Sequence, residues 1–170
     1  VAGQSDYPSW GHMLAQGATT VWEQWDGVHS RMHSSFLSIG ALFVEGIAGI
    51  RALPEAAGYE RFLVVPELVP SLQWARCELD TPRGLVVSAW KRGSAGFELE
   101  LAIPIGSRAT LRLPARSSAE VRAGGRALAQ VDGVLSYRRE GLDLVLELDS
   151  GRYRFQFPAT ELPHAAPPAR

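Results

Sequence analysis

Near Pro54 the apolar residues of this chain change their spacing, and the switch leaves few architectures open. Upstream, Trp10, Met13 and Leu14, and then Phe36, Ile39, Leu42, Phe43, Ile47 and Ile50, recur at intervals of three and four, the spacing of a helix face. Ser9 is placed as an N-cap and Gly17 as a stop, which predicts a short helix between them. A second helix is predicted over 34–50, where Ala41, Val44 and Ala48 leave little polar face. Downstream the period becomes two. Residues 62–65, 72–79, 84–91, 96–103, 109–113, 119–122, 133–138, 142–148 and 153–157 are short and rich in β-branched or aromatic side chains. Phe97, Leu99, Leu101 and Ile103 fall on one face of their strand, with Glu98, Glu100 and Ala102 on the other. Turn residues separate these runs at Asp80-Thr81-Pro82-Arg83-Gly84, Arg92-Gly93-Ser94, Gly124-Gly125, Asp132-Gly133 and Ser150-Gly151. The pattern predicts an antiparallel β-sandwich of about eight strands.

The expected class is therefore α+β: a helical part over 1–53, a sandwich over 54–160 and a disordered proline-rich tail over 161–170. So short and apolar a helical part cannot bury itself in water, so it is expected to be a piece of a larger helical assembly whose remainder lies outside this chain.

Charge narrows the partners. Lys and Arg number 17 against 18 Asp and Glu, which provides no electrostatic footprint for nucleic acid or an anionic membrane surface. The longest apolar stretch, 39–50, is interrupted by Gly40, Glu45, Gly46 and Gly49 and falls short of the roughly 18 residues of a membrane span. One cysteine, Cys77, excludes an intramolecular disulfide framework and reads as a buried strand thiol. His29 and His33 are four apart, but that spacing without further ligands does not define a metal site, and no cofactor is expected. The serines at 30, 34 and 35 lack a Gly-x-Ser-x-Gly elbow, and Gly124-Gly125 reads as a hairpin turn rather than a phosphate loop.

Several motifs occur in order. Tyr7-Pro8-Ser9-Trp10-Gly11-His12-Met13, Gly17-Ala18-Thr19-Thr20-Val21-Trp22-Glu23-Gln24-Trp25-Asp26-Gly27, Ser30-Arg31-Met32-His33-Ser34-Ser35-Phe36 and Gly46-Ile47-Ala48-Gly49-Ile50 are followed by Gly58-Tyr59-Glu60-Arg61-Phe62 and Leu72-Gln73-Trp74-Ala75. This succession resembles the end of the α/α catalytic barrel of bacterial α-L-rhamnosidases and the β-domain that follows it. The resemblance covers residues 7 to 110, and beyond them only the strand pattern is shared. It departs at Met32 and Ser34, where some relatives carry Asn and an aromatic residue, and at Leu42, where many carry Trp.

The resemblance implies inverting hydrolysis of a rhamnose-containing carbohydrate. Such chemistry needs two carboxyl groups roughly 6.5–9.5 Å apart, one protonating the leaving oxygen and one activating water. It places the general base at Glu23, with the acid on barrel sequence of the same polypeptide outside this chain. Trp22 and Trp25 flank Glu23 and are expected to shield it from water, while Thr19, Thr20 and Gln24 offer hydrogen bonds. Trp10, Trp22 and Trp25 are candidates to stack on a pyranose, and His33 to hydrogen-bond its hydroxyls. Core packing between helices is the competing reading for the tryptophans, a buried and satisfied imidazole for His33, and a solvated, arginine-paired helix residue for Glu23. Asp26 sits three residues from Glu23, near enough on a helix to perturb it, or else caps the turn into Gly27. A second reading, from another class, makes the sandwich a glycan-binding or buttressing module. Trp74 and Trp90 alternate with apolar neighbours and are expected to be buried, which favours the buttress.

Overall fold

The structure, a computed structural model, describes residues 4–33 and 38–158. Residues 34–37, where the second predicted helix begins, and the expected tail at 161–170 lie outside the described residues. The chain divides into two units, one up to Leu42 and one from Phe43 onward.

In the first unit the predicted short helix is α1, Trp10–Ala15. The buried Ser9 hydroxyl accepts from the His12 amide at 2.9 Å, satisfying a backbone donor that the first helical turn leaves open. Gly17 at φ 79° closes the helix in the left-handed region. After it the chain is irregular up to His33, not helical. α2, Ile39–Ala41, is a short turn of helix that runs into a π-helical segment, Leu42–Ile47.

The second unit begins within that segment and contains two sheets of antiparallel-rich pairing, with eleven strands among the described residues rather than about eight. The first sheet joins β1 (Ile50–Ala52), β2 (Arg61–Val64), β6 (Arg108–Leu113), β10 (Asp143–Leu148) and β9 (Val134–Glu140) in that order. In the second the order is β3 (Trp74–Thr81), β4 (Gly84–Gly93), β5 (Gly96–Ile103), β11 (Gly151–Phe157), β7 (Arg122–Ala123) and β8 (Arg126–Ala127). One pair departs from the antiparallel expectation: β2 lies parallel to β6, with Arg61 opposite Arg108 and Val64 opposite Leu111.

The core lies between the sheets. Phe62, Val64, Leu111, Leu113, Leu146 and Leu148 come from the first, and Val86, Trp90, Leu99, Leu101, Phe155 and Phe157 from the second. The alternation read along 96–103 holds: Phe97, Leu99, Leu101 and Ile103 join this core, and Glu98 and Glu100 stay half-buried on the other face. Gly124 and Gly125, both at positive φ, make the expected tight turn between β7 and β8.

The predicted second helix ends earlier than expected, and Ile50 is a strand residue. Gly49 at φ 78° brings its carbonyl to the Val65 amide at 2.9 Å, which starts the pairing of Ile50 with Val64. An apolar run of this length reads equally as buried helix or buried strand, and tertiary pairing decides. The carbonyls just before the glycine are held by β4 side chains. Trp90 Nε1–H donates to Ile47 O at 3.0 Å and the buried Ser88 hydroxyl to Ala48 O at 2.7 Å. These carbonyls would otherwise be buried without partners.

Candidate functional site

All the candidate site residues lie in the first unit. Glu23 is not on a helix. It belongs to a hairpin-like loop in which residues 20–23 run beside residues 30–33. The Glu23 amide donates to Ser30 O at 2.8 Å, the His33 amide to Val21 O at 2.9 Å, and the Thr20 hydroxyl to Arg31 O. Thr19-Thr20 and Val21-Trp22 are poor helix formers, and two adjacent β-branched threonines followed by valine suit an extended strand.

The turn is built by Asp26 and Gly27. Asp26 Oδ1 accepts from the Val28 amide at 3.0 Å, the local bond that lets aspartate organise a turn. Of the two readings of Asp26, this is the turn-capping one. Gly27 adopts φ 69° and packs flat against Trp22, since a Cβ there would lie 2.8 Å from the indole. On Trp22 the Arg31 guanidinium carbon sits 5.3 Å from the ring centroid, while Arg31 Nε donates to Gly27 O at 3.2 Å. Trp22 thus fills the loop, only 6% exposed. Arg31 carried no local sign of this role, because it pairs with Trp22 only once the hairpin has closed.

Glu23 Oε2 accepts a 3.3 Å bond from the Ser30 amide and lies 3.9 Å from His33 Nδ1. Its side chain is 42% exposed. The loop therefore fixes one carboxylate oxygen and leaves solvent access to the group. Glu23, Trp10, Trp22 and Trp25 line a single cavity of about 570 Å³, whose remaining wall includes Met13 and Ile39. Four of the five residues singled out in the sequence thus share one cavity, and the fifth, His33, faces the carboxylate. The volume is within the range of small-molecule sites, roughly 300–1,000 Å³. Among the described residues there is no group of three or more His, Cys, Asp or Glu arranged to hold a metal ion. No described helix is long and apolar enough to cross a membrane.

In the second unit the expectation for the tryptophans divides. Trp90 is buried, but Trp74 is 67% exposed. Trp74 begins β3, an edge strand of the second sheet, on the outward set with Arg76 and Glu78, so its apolar sequence neighbours face the other way.

The first unit thus sets a solvent-accessible carboxylate among three indoles, and two sheets of antiparallel-rich pairing follow it in the chain. Two adjoining family models fit this division. The bacterial α-L-rhamnosidase 6 hairpin glycosidase domain matches residues 1–47, and the bacterial α-L-rhamnosidase C-terminal domain matches residues 49–127. The chain belongs to the bacterial α-L-rhamnosidase family. Over 164 residues it is 29% identical to an α-L-rhamnosidase of Streptomyces avermitilis, covering 89% of this chain and 15% of that protein. It is 28% identical over 161 residues to one from Alteromonas sp. (strain LOR), covering 88% and 16%. Among solved structures it is similar to an α-L-rhamnosidase from Dictyoglumus thermophilum, with TM-score 0.70, 28% identity and coverage of 92% and 18%. It is also similar to the Streptomyces avermitilis α-L-rhamnosidase complexed with L-rhamnose, with TM-score 0.67, 29% identity and coverage of 90% and 15%. The chain spans about one sixth of the length of these curated relatives and is homologous to their C-terminal region.

Proposed function

We propose that this chain is the C-terminal portion of an inverting α-L-rhamnosidase, which releases terminal α-L-rhamnose from glycosides or polysaccharides. On this reading residues 1–53 complete an α/α barrel, and Glu23 is the general base. Its carboxylate takes a proton from a water molecule as that water attacks the anomeric carbon, and the leaving oxygen is protonated by an acid on the polypeptide outside this chain. Trp10 and Trp25, half-buried at the cavity, present ring faces to the C–H groups and C6 methyl of the sugar, Trp22 supports the wall, and His33 bonds a hydroxyl.

The observation that carries the reading is the shared cavity. Glu23 meets three tryptophans there, with one oxygen held by the Ser30 amide and the carboxyl open to solvent. A base must be held in place and still reach a water, and this arrangement does both. The match of residues 1–47 to a glycosidase domain supports the same assignment.

The test uses the full-length polypeptide and an aryl α-L-rhamnoside. Glu23→Gln is expected to lower kcat by about three orders of magnitude with KM little changed, because the amide keeps the shape and cannot accept the proton. Retention of most of the activity would overturn the assignment. The 170-residue chain alone is expected to release no aglycone above buffer.

A further inference from the structure

We propose that the outer face of the second sheet around Trp74 binds a neutral pyranose unit of a glycan, at a site separate from the Glu23 cavity. Of the five tryptophans Trp74 alone is exposed, the other four being buried or half-buried. An indole left in water on a strand forgoes a large apolar gain, and exposed aromatic rings of this kind mark binding surfaces.

The sheet register surrounds that ring with polar groups and places a gap beside it. Trp74 pairs with Lys91 and Lys91 with Glu98; one rung along, Arg76 pairs with Ala89 and Ala89 with Glu100. Side chains in register share a face. Ala89 is therefore a small residue ringed by long ones, and the resulting depression of about 310 Å³ is walled by Trp74, Arg76, Lys91, Glu100 and Arg154. A ring face beside a small-floored notch with polar walls is the combination that a pyranose demands. Its C–H face stacks, and its equatorial hydroxyls meet donors and acceptors at the rim.

The polar groups are already oriented. Lys91 Nζ lies 2.9 Å from Glu98, Gln156 Nε2 donates to Glu98 at 3.3 Å, and Arg76 bridges Glu78 at 2.6 Å and Glu100 at 3.5 Å. The bonds from Lys91 and Gln156 hold the Glu98 carboxyl below its ordinary range, so it remains an acceptor at neutral pH. Arg154 alone in the wall has no ion pair among the described residues and has its donors free for a ligand. Because the cations are balanced by Glu78, Glu98 and Glu100, the face does not select a polyanion, which favours a neutral sugar over an acidic polymer or nucleic acid.

A polar row extends the site. Trp74, Lys91, Glu98, Gln156 and Arg122 follow one another across five strands, ending beside a second depression lined by Glu98, Glu120, Arg122 and Gln156. Four interstrand steps make about 19 Å, the length of a short oligosaccharide. Binding should therefore strengthen from one sugar unit to three.

The test is NMR on the 170-residue chain, following the Trp74 indole N–H and, in all variants including Trp74→Ala, the backbone amides of Ala89 and Lys91 during titration with methyl α-L-rhamnopyranoside, with cellotriose and with a trigalacturonate. A saturable shift with either neutral sugar, weakened about tenfold or more by Trp74→Ala and less by Arg154→Ala, is the expected result. The shift should persist in Glu23→Gln and in Trp25→Ala, so that loss of the proposed catalytic role leaves this site intact. No shift with any sugar, or a shift with the trigalacturonate alone, would overturn the proposal. So would a sugar-independent shift that follows protein concentration and a dimer in sedimentation, which would assign the face to a second copy of the chain.

Discussion

Replacing Gly49 with alanine probes the junction at which helix gives way to strand. Gly49 lies in the left-handed region at φ 78°, and a Cβ built on it would stand 2.2 Å from the Val65 carbonyl carbon and 2.3 Å from Pro66 N. Both are backbone atoms. They cannot step aside without breaking the Val65 amide bond to Gly49 O and the Ile50–Val64 pairing, whose two side chains are fully buried. The left-handed conformation costs alanine roughly 1–2 kcal/mol, and forcing an extra carbon into a packed position costs roughly 1–3 kcal/mol. Together these make about 2–5 kcal/mol, a large share of the roughly 5–15 kcal/mol by which domains are stable. Gly141 is the control, since it adopts φ 60° and a Cβ there would meet nothing within 4 Å, so Gly141→Ala carries only the conformational part. Thermal melting followed by far-UV circular dichroism should place Gly49→Ala about 10–20 °C below the parent and Gly141→Ala about 5 °C below it. Melting of the two variants at the same temperature would refute the claim that close backbone approach, rather than φ alone, requires glycine at 49.

Two further outcomes follow. Gly27→Ala should push the Trp22 ring from its seat, lowering kcat/KM of the full-length polypeptide by about 10–100-fold and changing the near-UV dichroism, while Gly17→Ala, at φ 79° with open space around it, should leave both nearly as they were. Burial, and secondarily the Glu78 carboxylate, raises the Cys77 thiol above its ordinary range. Folding is thereby favoured most below the pKa of the unfolded thiol, and this contribution fades as pH rises through the folded value. Alkylation of Cys77 by iodoacetamide at mildly alkaline pH should run about tenfold slower in the folded chain than in urea, and equal rates would show the thiol to be open.

Local features proved the most legible in the sequence. Ser9 caps its helix because a serine hydroxyl before an apolar turn has an amide within reach, and the 96–103 alternation survives because both its faces have environments that match. What could not be read depends on partners distant along the chain. β1 is a strand because residues 62–64 pair with it, and its own three residues, Ile50-Arg51-Ala52, are too few to establish a period of two. Trp74 was expected to be buried because it stands among apolar neighbours, yet period-two geometry turns the neighbours inward and the indole outward. At the candidate site, residue identities pointed to one cavity, and the backbone that carries Glu23 is a hairpin-like loop, against the competing reading of a helix residue. Its Asp-Gly turn and adjacent threonines are the local sequence features that suit that loop.

The parallel pairing of β2 with β6 also sets an order of events during synthesis. β1 and β2 leave the ribosome as a two-stranded ribbon whose next neighbour, Arg108–Leu113, is translated more than forty residues later. At about 5–20 residues per second that interval lasts seconds, long compared with the microseconds a hairpin needs to form. Throughout it, the β2 edge that β6 will cover stands unsatisfied. A nascent chain arrested when β2 has emerged and β6 is still inside the ribosome should therefore be prone to capture by chaperones or by its own kind.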